Sequence, residues 1–114
     1  MIAVVSQAWT LDDSGHADAY LAEYHHFLTL HREQVGFRGR RLLRGVEDRC
    51  HFTNVRYFDR VLDYERLVDR PGYATHIEAM GRHLDLSRLP PKEYVELVVS
   101  DGPLADDAGR TDLP

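Results

Sequence analysis

The chain has 114 residues, 43% of them apolar, with a formal net charge of −5 at pH 7, and this composition predicts one globular domain. The negative charge and the scattered arginines argue against nucleic acid as a partner, because neutralising phosphates requires a clustered cationic surface. Cys50 is the only cysteine, which excludes an intrachain disulfide framework and leaves no cysteine cluster for zinc.

The first strand and the first helix are predicted from two different periodicities. Residues Ile2 to Leu11 are rich in β-branched side chains and partly alternate, which predicts a strand that the polar run 12–15 ends. From Ala17 to Glu33, apolar residues recur with helical spacing, which predicts one amphipathic helix. Gly36 follows the last periodic residues and is a natural stop for that helix.

A hairpin that leads into a second helical region occupies the middle of the chain. Phe37–Gly45 and Cys50–Phe58 have the composition of strands and are joined by a polar turn. Asp59 stands where the N-cap of the next helix is expected. That helix is interrupted by Pro and Gly at 71–72 and then resumes. The resumed part carries an apolar stripe made of Tyr73, Ile77, Met80 and Leu84.

The chain ends with one more predicted strand, Tyr94–Val99, and a polar tail. The element order predicts an α+β, ferredoxin-like β-α-β-β-α-β domain over residues 1–100, with an antiparallel sheet covered on one side by helices. Residues 101–114 are rich in Asp, Gly and Pro and predict a flexible or partner-contacting C-terminal tail. The other sheet face would carry Val55 and Tyr57, so we expect a homodimer through the sheet faces.

The third predicted strand places polar groups on the face that the helices cover. By the two-residue period of a strand, Asn54, Arg56 and Phe58 share one side. A buried amide needs hydrogen-bond partners, and a guanidinium there is suited to hold a phenolate or a carboxylate. Structural alternatives are a hydrogen bond from Asn54 to a loop and a surface ion pair of Arg56. We expect the chemistry of the protein at this face.

The segments VGFRGRRLLRG (35–45) and FTNVRYF (52–58), followed by Tyr64 six residues after Phe58, resemble the antibiotic biosynthesis monooxygenase family of dimeric α/β barrels. The resemblance covers Ile2 to about Ser100. It implies a dimeric α/β barrel. The family includes cofactor-free monooxygenases that oxidise aromatic polyketides to quinones. Haem-degrading monooxygenases share the same barrel.

The resemblance also implies roles for individual residues. In the quinone-forming members an Asn, a Trp and a Tyr line the pocket, and these positions fall on Asn54, Phe58 and Tyr64. Phe58 keeps the aromatic wall without the indole N–H. An Arg that some members carry on the second helix falls near Glu78 and is absent here. Asn54 and Tyr64 are therefore predicted to be catalytic, with Phe58 and Arg56 binding the substrate.

Other candidate residues come from the remaining elements. His76 is the predicted general base, because histidine is the side chain most suited to proton transfer near neutral pH, although a lone helical His is often a rim residue. Trp9 is a candidate for stacking on a flat substrate, with the dimer interface or core as its alternative. Gln7 on the same strand and His25 on the first helix are further substrate-binding candidates.

The sequence favours a cofactor-independent monooxygenase that oxidises an aromatic, polyketide-type phenol. A polyketide cyclase of the same fold is the first alternative. Haem degradation is the second, with His76 near one family position, Gln7 near another, and Leu67 or Val68 where a Trp is usual. The third is a non-catalytic binding barrel, expected if Trp9, Phe27 and Phe58 fill the pocket.

No cofactor and no metal are expected from the motifs. The sequence has no His-x-x-x-His pair, no Gly-x-Gly-x-x-Gly and no Walker loop, and Glu23-x-x-His26 occurs once where a di-iron bundle needs two copies. No apolar run approaches the length of a membrane span, and the N-terminus does not have the pattern of a signal peptide. The expected partner is a small aromatic substrate, and the expected location is the cytoplasm.

Overall fold

The computed structural model describes residues 1–102 as four strands and four helices in one α+β arrangement. The elements in chain order are β1 (Ile2–Trp9), α1 (Gly15–His26), α2 (Leu28–Arg32), β2 (Phe37–Arg44), β3 (His51–Phe58), α3 (Val61–Val68), α4 (Tyr73–Gly81) and β4 (Glu93–Glu96). None of these helices is both long and apolar enough to cross a membrane.

The strands form a single antiparallel sheet in the order β2-β3-β1-β4. This order places the two central strands, β1 and β3, side by side, with Ser6 directly opposite Asn54. The predicted ferredoxin-like topology is confirmed. The structure describes one chain, so the homodimer through the sheet faces stays a prediction.

The core lies between the helices and one face of the sheet. It is built mainly from aromatic side chains, of which Phe52 and Phe58 from β3 are among the most completely buried. Burying a side chain of this size stabilises a fold by roughly 1.5–3 kcal/mol. Phe58 packs edge-on between Phe37 and Tyr64, with ring centroids 5.7 and 5.6 Å away. The helix-facing side of β3 is therefore fixed by its large apolar residues.

The first helical region is divided into two helices, whereas the sequence predicted one. The division falls at Phe27. Its carbonyl oxygen accepts two hydrogen bonds from His31, one from the backbone N–H at 3.3 Å and one from the ring Nδ1–H at 2.9 Å. The predicted first strand is also too long at its end. The observed strand stops at Trp9, whereas the prediction extended it to Leu11, and Thr10 forms an isolated bridge with Leu84.

The second helical region has the predicted interruption but not the predicted cap. Gly72 has a φ of 93°, which ends the continuity between α3 and α4. The N-cap assignment of Asp59 is wrong, because its carboxylate accepts hydrogen bonds from Arg38, the shorter at 2.7 Å. The N-cap is Arg60, whose backbone N–H donates to the Asp63 carboxylate at 3.1 Å.

The last strand is shorter than predicted and begins one residue earlier. It covers Glu93–Glu96, where the sequence predicted Tyr94–Val99. Its four residues pair with residues 2–5 of β1, and pairing stops there because β1 begins at Ile2. The predicted tail, 101–114, lies almost wholly outside the described residues.

Candidate functional site

A cavity of about 710 Å³ lies between the helix-covered face of the sheet and the segment that follows α4. This volume is typical of pockets for small organic ligands. The sheet and the first helical region contribute Ser6, Gln7, Ala8, Tyr20, Phe27, Asn54 and Arg56. Helices α3 and α4 contribute Tyr64, Val68, Tyr73, Ile77, Glu78, Met80 and Gly81. The segment that follows α4 contributes Arg82, Leu84, Leu86, Leu89, Pro90 and Lys92.

The polar floor of the cavity comes from the two central strands. Arg56 is only 4% exposed, and its guanidinium donates to the Ser6 Oγ at 3.2 Å and to the Tyr73 hydroxyl at 3.3 Å. The Nε of Arg56 and the Oδ1 of Asn54 are both buried without a hydrogen-bond partner. An unpartnered buried polar group costs roughly 1–3 kcal/mol, and such groups are often found where a site binds a ligand.

Three tyrosines surround this floor. The hydroxyls of Tyr64 and Tyr73 are 3.5 Å apart, and Tyr20 lines the cavity from α1. Burial, and secondarily Tyr24, raises the pKa of Tyr20 to about 12 against the opposing effect of Arg56. Burial also raises the pKa of Tyr73. Both of these hydroxyls therefore keep their protons at neutral pH and are suited to donate hydrogen bonds to a bound oxygen.

The charges that face the cavity are mainly positive. The Arg56 Cζ lies 5.0 Å from the centre of the Tyr64 ring, and the Lys92 Nζ lies 5.5 Å from it. Neither cation forms an ion pair with a carboxylate of residues 1–102. The acidic residue of the lining, Glu78, pairs with Arg82 at 3.3 Å. The buried end of the cavity therefore carries a positive charge without an anionic partner.

The structure brings Asn54, Arg56 and Tyr64 together in the cavity, as the strand period and the resemblance predicted. Gln7 also borders the cavity, but its side chain is engaged on the opposite face of the sheet. Its Oε1 accepts a hydrogen bond from the Thr53 hydroxyl at 2.7 Å and lies 2.7 Å from the His51 Nε2. The amide of Gln7 is therefore not placed to contact a ligand in the cavity.

Two aromatic candidates lie away from the cavity lining. Phe58 is completely buried in the core, beneath the ring of Tyr64. Trp9 lies on the opposite face of the sheet, because it alternates with the helix-facing residues of β1. Its ring stacks on His51 at 4.4 Å and its indole N–H donates to Asp48 at 3.2 Å. Neither side chain can stack on a ligand held at Asn54.

The two histidine candidates are also outside the cavity lining. Tyr73, Ile77 and Met80 form the cavity stripe of α4, and His76 lies roughly 60° to one side of that stripe. In that direction His76 stacks on Phe27, the residue between α1 and α2, with ring centroids 4.8 Å apart. His25 is exposed on α1. The structure therefore does not place a predicted general base at the cavity.

Three further residues, Ser6, Tyr20 and Tyr73, line the cavity but were not predicted as site residues. Ser6 is found from the strand register, because it lies opposite Asn54 on the same face. Tyr20 and Tyr73 belong to the apolar stripes of their helices, which also contain core residues. Helical period alone does not separate a core tyrosine from one whose hydroxyl reaches a cavity.

Comparison with solved structures shows which proteins share this fold. A candidate antibiotic biosynthesis monooxygenase from Bordetella bronchiseptica superposes with a TM-score of 0.74 at 15% identity, over 86% of this chain and 97% of the other. SnoaB, a cofactor-independent oxygenase from Streptomyces nogalater, gives 0.65 at 16% identity, over 89% and 94%. The chain has the fold of the antibiotic biosynthesis monooxygenases.

A candidate member from Chloroflexus aurantiacus extends this similarity, with a TM-score of 0.70 at 12% identity over 90% of this chain and 97% of that chain. The single-chain fold that the sequence resemblance implied is therefore confirmed, and the dimer stays a prediction. No protein-family model and no curated protein sequence matches the chain. Within residues 1–102, no three His, Cys, Asp or Glu side chains are grouped so that they would hold a metal ion.

Proposed function

We propose that this protein is a cofactor-independent monooxygenase that oxidises a phenolic, polyketide-type aromatic compound to a quinone. The observation that supports this most directly is the convergence of Asn54 and Tyr64, from a strand and a helix, on one open cavity. Of the three aromatic residues that a non-catalytic barrel would use to fill the pocket, Phe27 lines the cavity but Trp9 and Phe58 do not, and a volume of about 710 Å³ stays open. SnoaB, a cofactor-independent oxygenase, shares the fold.

The proposed reaction converts a ring methylene next to a phenol into a carbonyl. The substrate loses two hydrogens, one atom of O₂ enters the product as the carbonyl oxygen, and the other leaves as water. Ionisation of the substrate makes this ring carbon electron-rich enough to react with O₂. Asn54, Tyr64 and Arg56 hold the substrate oxygen, which becomes negatively charged as the substrate ionises, and donors aimed at such a charge stabilise it strongly.

No histidine lines the cavity within the described chain, so the proposal assigns deprotonation to the acidity of the substrate itself rather than to His76. The sheet–helix cavity excludes bulk water from the buried end, where Arg56 stabilises an ionised oxygen of the substrate. Tyr20 and Tyr73 complete the polar wall with neutral hydroxyls.

The experiment measures O₂ uptake by the purified protein with a tricyclic anthrone, and incorporation of ¹⁸O from ¹⁸O₂ into the product. We expect one labelled oxygen per product molecule. Asn54→Ala and Tyr64→Phe should each lower kcat by about 100-fold, the usual effect of removing one hydrogen bond to a developing oxyanion.

Thr53→Ala is the matched control, because Thr53 is adjacent to Asn54 but its hydroxyl is on the opposite face of the sheet, bound to Gln7. It should turn over like the wild type. Absence of O₂ uptake with a panel of anthrones and naphthols that includes members carrying a carboxylate, or unchanged kcat in both cavity variants, contradicts the proposal. Turnover of a poly-β-ketone under strict anaerobiosis would instead identify a cyclase.

A further inference from the structure

Arg56 is a buried cation that no carboxylate of residues 1–102 neutralises. It lies on β3 at the floor of the cavity and is 4% exposed. Its hydrogen-bond partners are the neutral hydroxyls of Ser6 and Tyr73, and its Nε has no partner. Among residues 1–102 no carboxylate pairs with it. Buried arginines are normally paired with an anion, because an isolated charge is poorly solvated inside a protein.

The surroundings of Arg56 offset its charge only in part. The face of the Tyr64 ring lies 5.0 Å from its Cζ and attracts the cation through its quadrupole, which is a weaker effect than a full negative charge. A second cation of the lining, Lys92, lies 5.5 Å from the centre of the same ring. The cavity is therefore electrostatically complementary to an anion.

Among the described residues, the lining also has no group to create that anion from a neutral ligand. It contains no histidine, and its carboxylate, Glu78, is exposed and already paired with Arg82. The buried hydroxyls of Tyr20 and Tyr73 are weaker acids than usual and remain neutral. The negative charge must then be present on the ligand when it enters.

We infer that the substrate is an oxyanion already ionised at neutral pH, and that Arg56 is the residue that selects it. The inference rests on the proposed function in assuming that this cavity takes the substrate. A carboxylate and the enolate of a strongly acidic enol both supply the required oxygen, and the planar guanidinium suits either. Neutral phenols of the same shape are expected to bind weakly.

The test compares two pairs of flat probes by calorimetric titration at pH 7, under nitrogen so that binding is measured without turnover. The first pair is 2-naphthoate and 2-naphthamide. The second is 2-hydroxy-1,4-naphthoquinone, ionised at this pH, and its methyl ether. We expect the anionic member of at least one pair to bind at least tenfold more tightly, about 1.4 kcal/mol. The pair that shows this preference identifies the source of the oxyanion.

The preference should fall below twofold in Arg56→Gln, and Arg56→Met provides a second neutral variant of similar length in case the first does not fold. Arg38→Gln, an exposed arginine paired with Asp59, is the matched control and should keep the full preference. Equal binding within both pairs, or a preference that survives in the folded neutral variants, overturns the inference.

Oxygen uptake separates this inference from the proposed function. An Arg56-dependent preference for anions together with no O₂ uptake would retain the anion site and reject the monooxygenase. Oxidation of a neutral phenol, with no preference for anions, would retain the monooxygenase and reject the role of Arg56.

Discussion

At the scale of single residues, His31 is a buried ionisable group that plays no part in the cavity. It is 1% exposed, its Nδ1–H donates to the Phe27 carbonyl at 2.9 Å, and its Nε2 has no hydrogen-bond partner. Burial, partly opposed by the bond to Phe27 and reinforced by Arg56, lowers the pKa of His31 to about 3 from the ordinary 6.5. The folded protein therefore keeps this imidazole neutral.

The free energy of unfolding should decrease as the pH is lowered, because of His31. Between its unfolded pKa of 6.5 and its folded pKa of about 3, the unfolded chain binds a proton that the folded chain does not. Each unit by which the pH is lowered in that window should lower the free energy of unfolding by about 1.4 kcal/mol. Above pH 7, His31 should not change the free energy of unfolding. Urea unfolding from pH 7 to pH 4 measures this slope.

The comparison for this slope is His31→Asn, which lacks the titrating ring and whose side-chain amide can still donate toward Phe27. The variant is expected to be less stable at pH 7 but to lose less stability on acidification. Carboxylates titrate equally in both proteins, so the difference in slope isolates His31. Identical slopes would show that the imidazole is not held neutral by burial.

At the scale of elements, the start of α3 depends on a close contact between a glycine and a carboxylate. Asp63 is 2% exposed, accepts the backbone N–H of Arg60 at 3.1 Å, and pairs with the Arg60 guanidinium at 3.1 Å. Gly36, before β2, has a φ of 91°, and a Cβ there would overlap the Asp63 carboxylate. The turn into β2 and the cap of α3 are therefore packed as one unit.

Gly36→Ala should lower the free energy of unfolding by about 3 kcal/mol or more. The substitution places an alanine in the left-handed region and displaces a buried, capping carboxylate from its partners. The matched control is Gly72→Ala, where φ is 93° but nothing lies near the added Cβ, so that only the backbone cost of about 1–2 kcal/mol is expected. Thermal and urea unfolding measure both. Equal losses would refute the packing argument.

The sequence predicted the elements where local periodicity determines them. The hairpin and the break at Gly72 follow from composition and period, and the same period places Asn54 and Arg56 on the helix-covered face. The predicted cap at Asp59 is wrong because Arg38, distant in sequence, binds its carboxylate. That competition exists only after β2 is folded beside the end of β3.

The placement of the other site candidates depended on information that the local sequence lacks. β1 has apolar residues on both of its faces, Val4 on one and Val5 on the other, so alternation alone did not show that Trp9 points away from the helices. His76 was misplaced relative to the cavity for a similar reason. The side of α4 on which it lies packs against Phe27, between α1 and α2, which is a tertiary contact.

At the scale of the whole molecule, the sheet face opposite the helices remains only partly covered in one chain. Val55 lies at its centre, paired with Val5 on one neighbouring strand and Arg41 on the other. Towards the edges, Leu43 is 53% exposed and Val95 is 44% exposed. Exposed apolar side chains that share one sheet face are typical of a protein interface, and two such sheets can pack face to face.

We expect the protein to form a homodimer through this face, with an interface in the usual range of about 1,200–2,000 Å². Val55→Lys would place an unpaired ammonium at its centre and should raise the dimer dissociation constant at least tenfold, about 1.4 kcal/mol. Val46→Lys adds the same charge in the exposed turn between β2 and β3, where Val46 is 87% exposed, and should leave the dimer intact. Sedimentation equilibrium measures the dimer dissociation constants of the wild type and both variants. A wild type that is monomeric at micromolar concentration would contradict the prediction, and so would a Val55→Lys dimer as strong as that of the wild type.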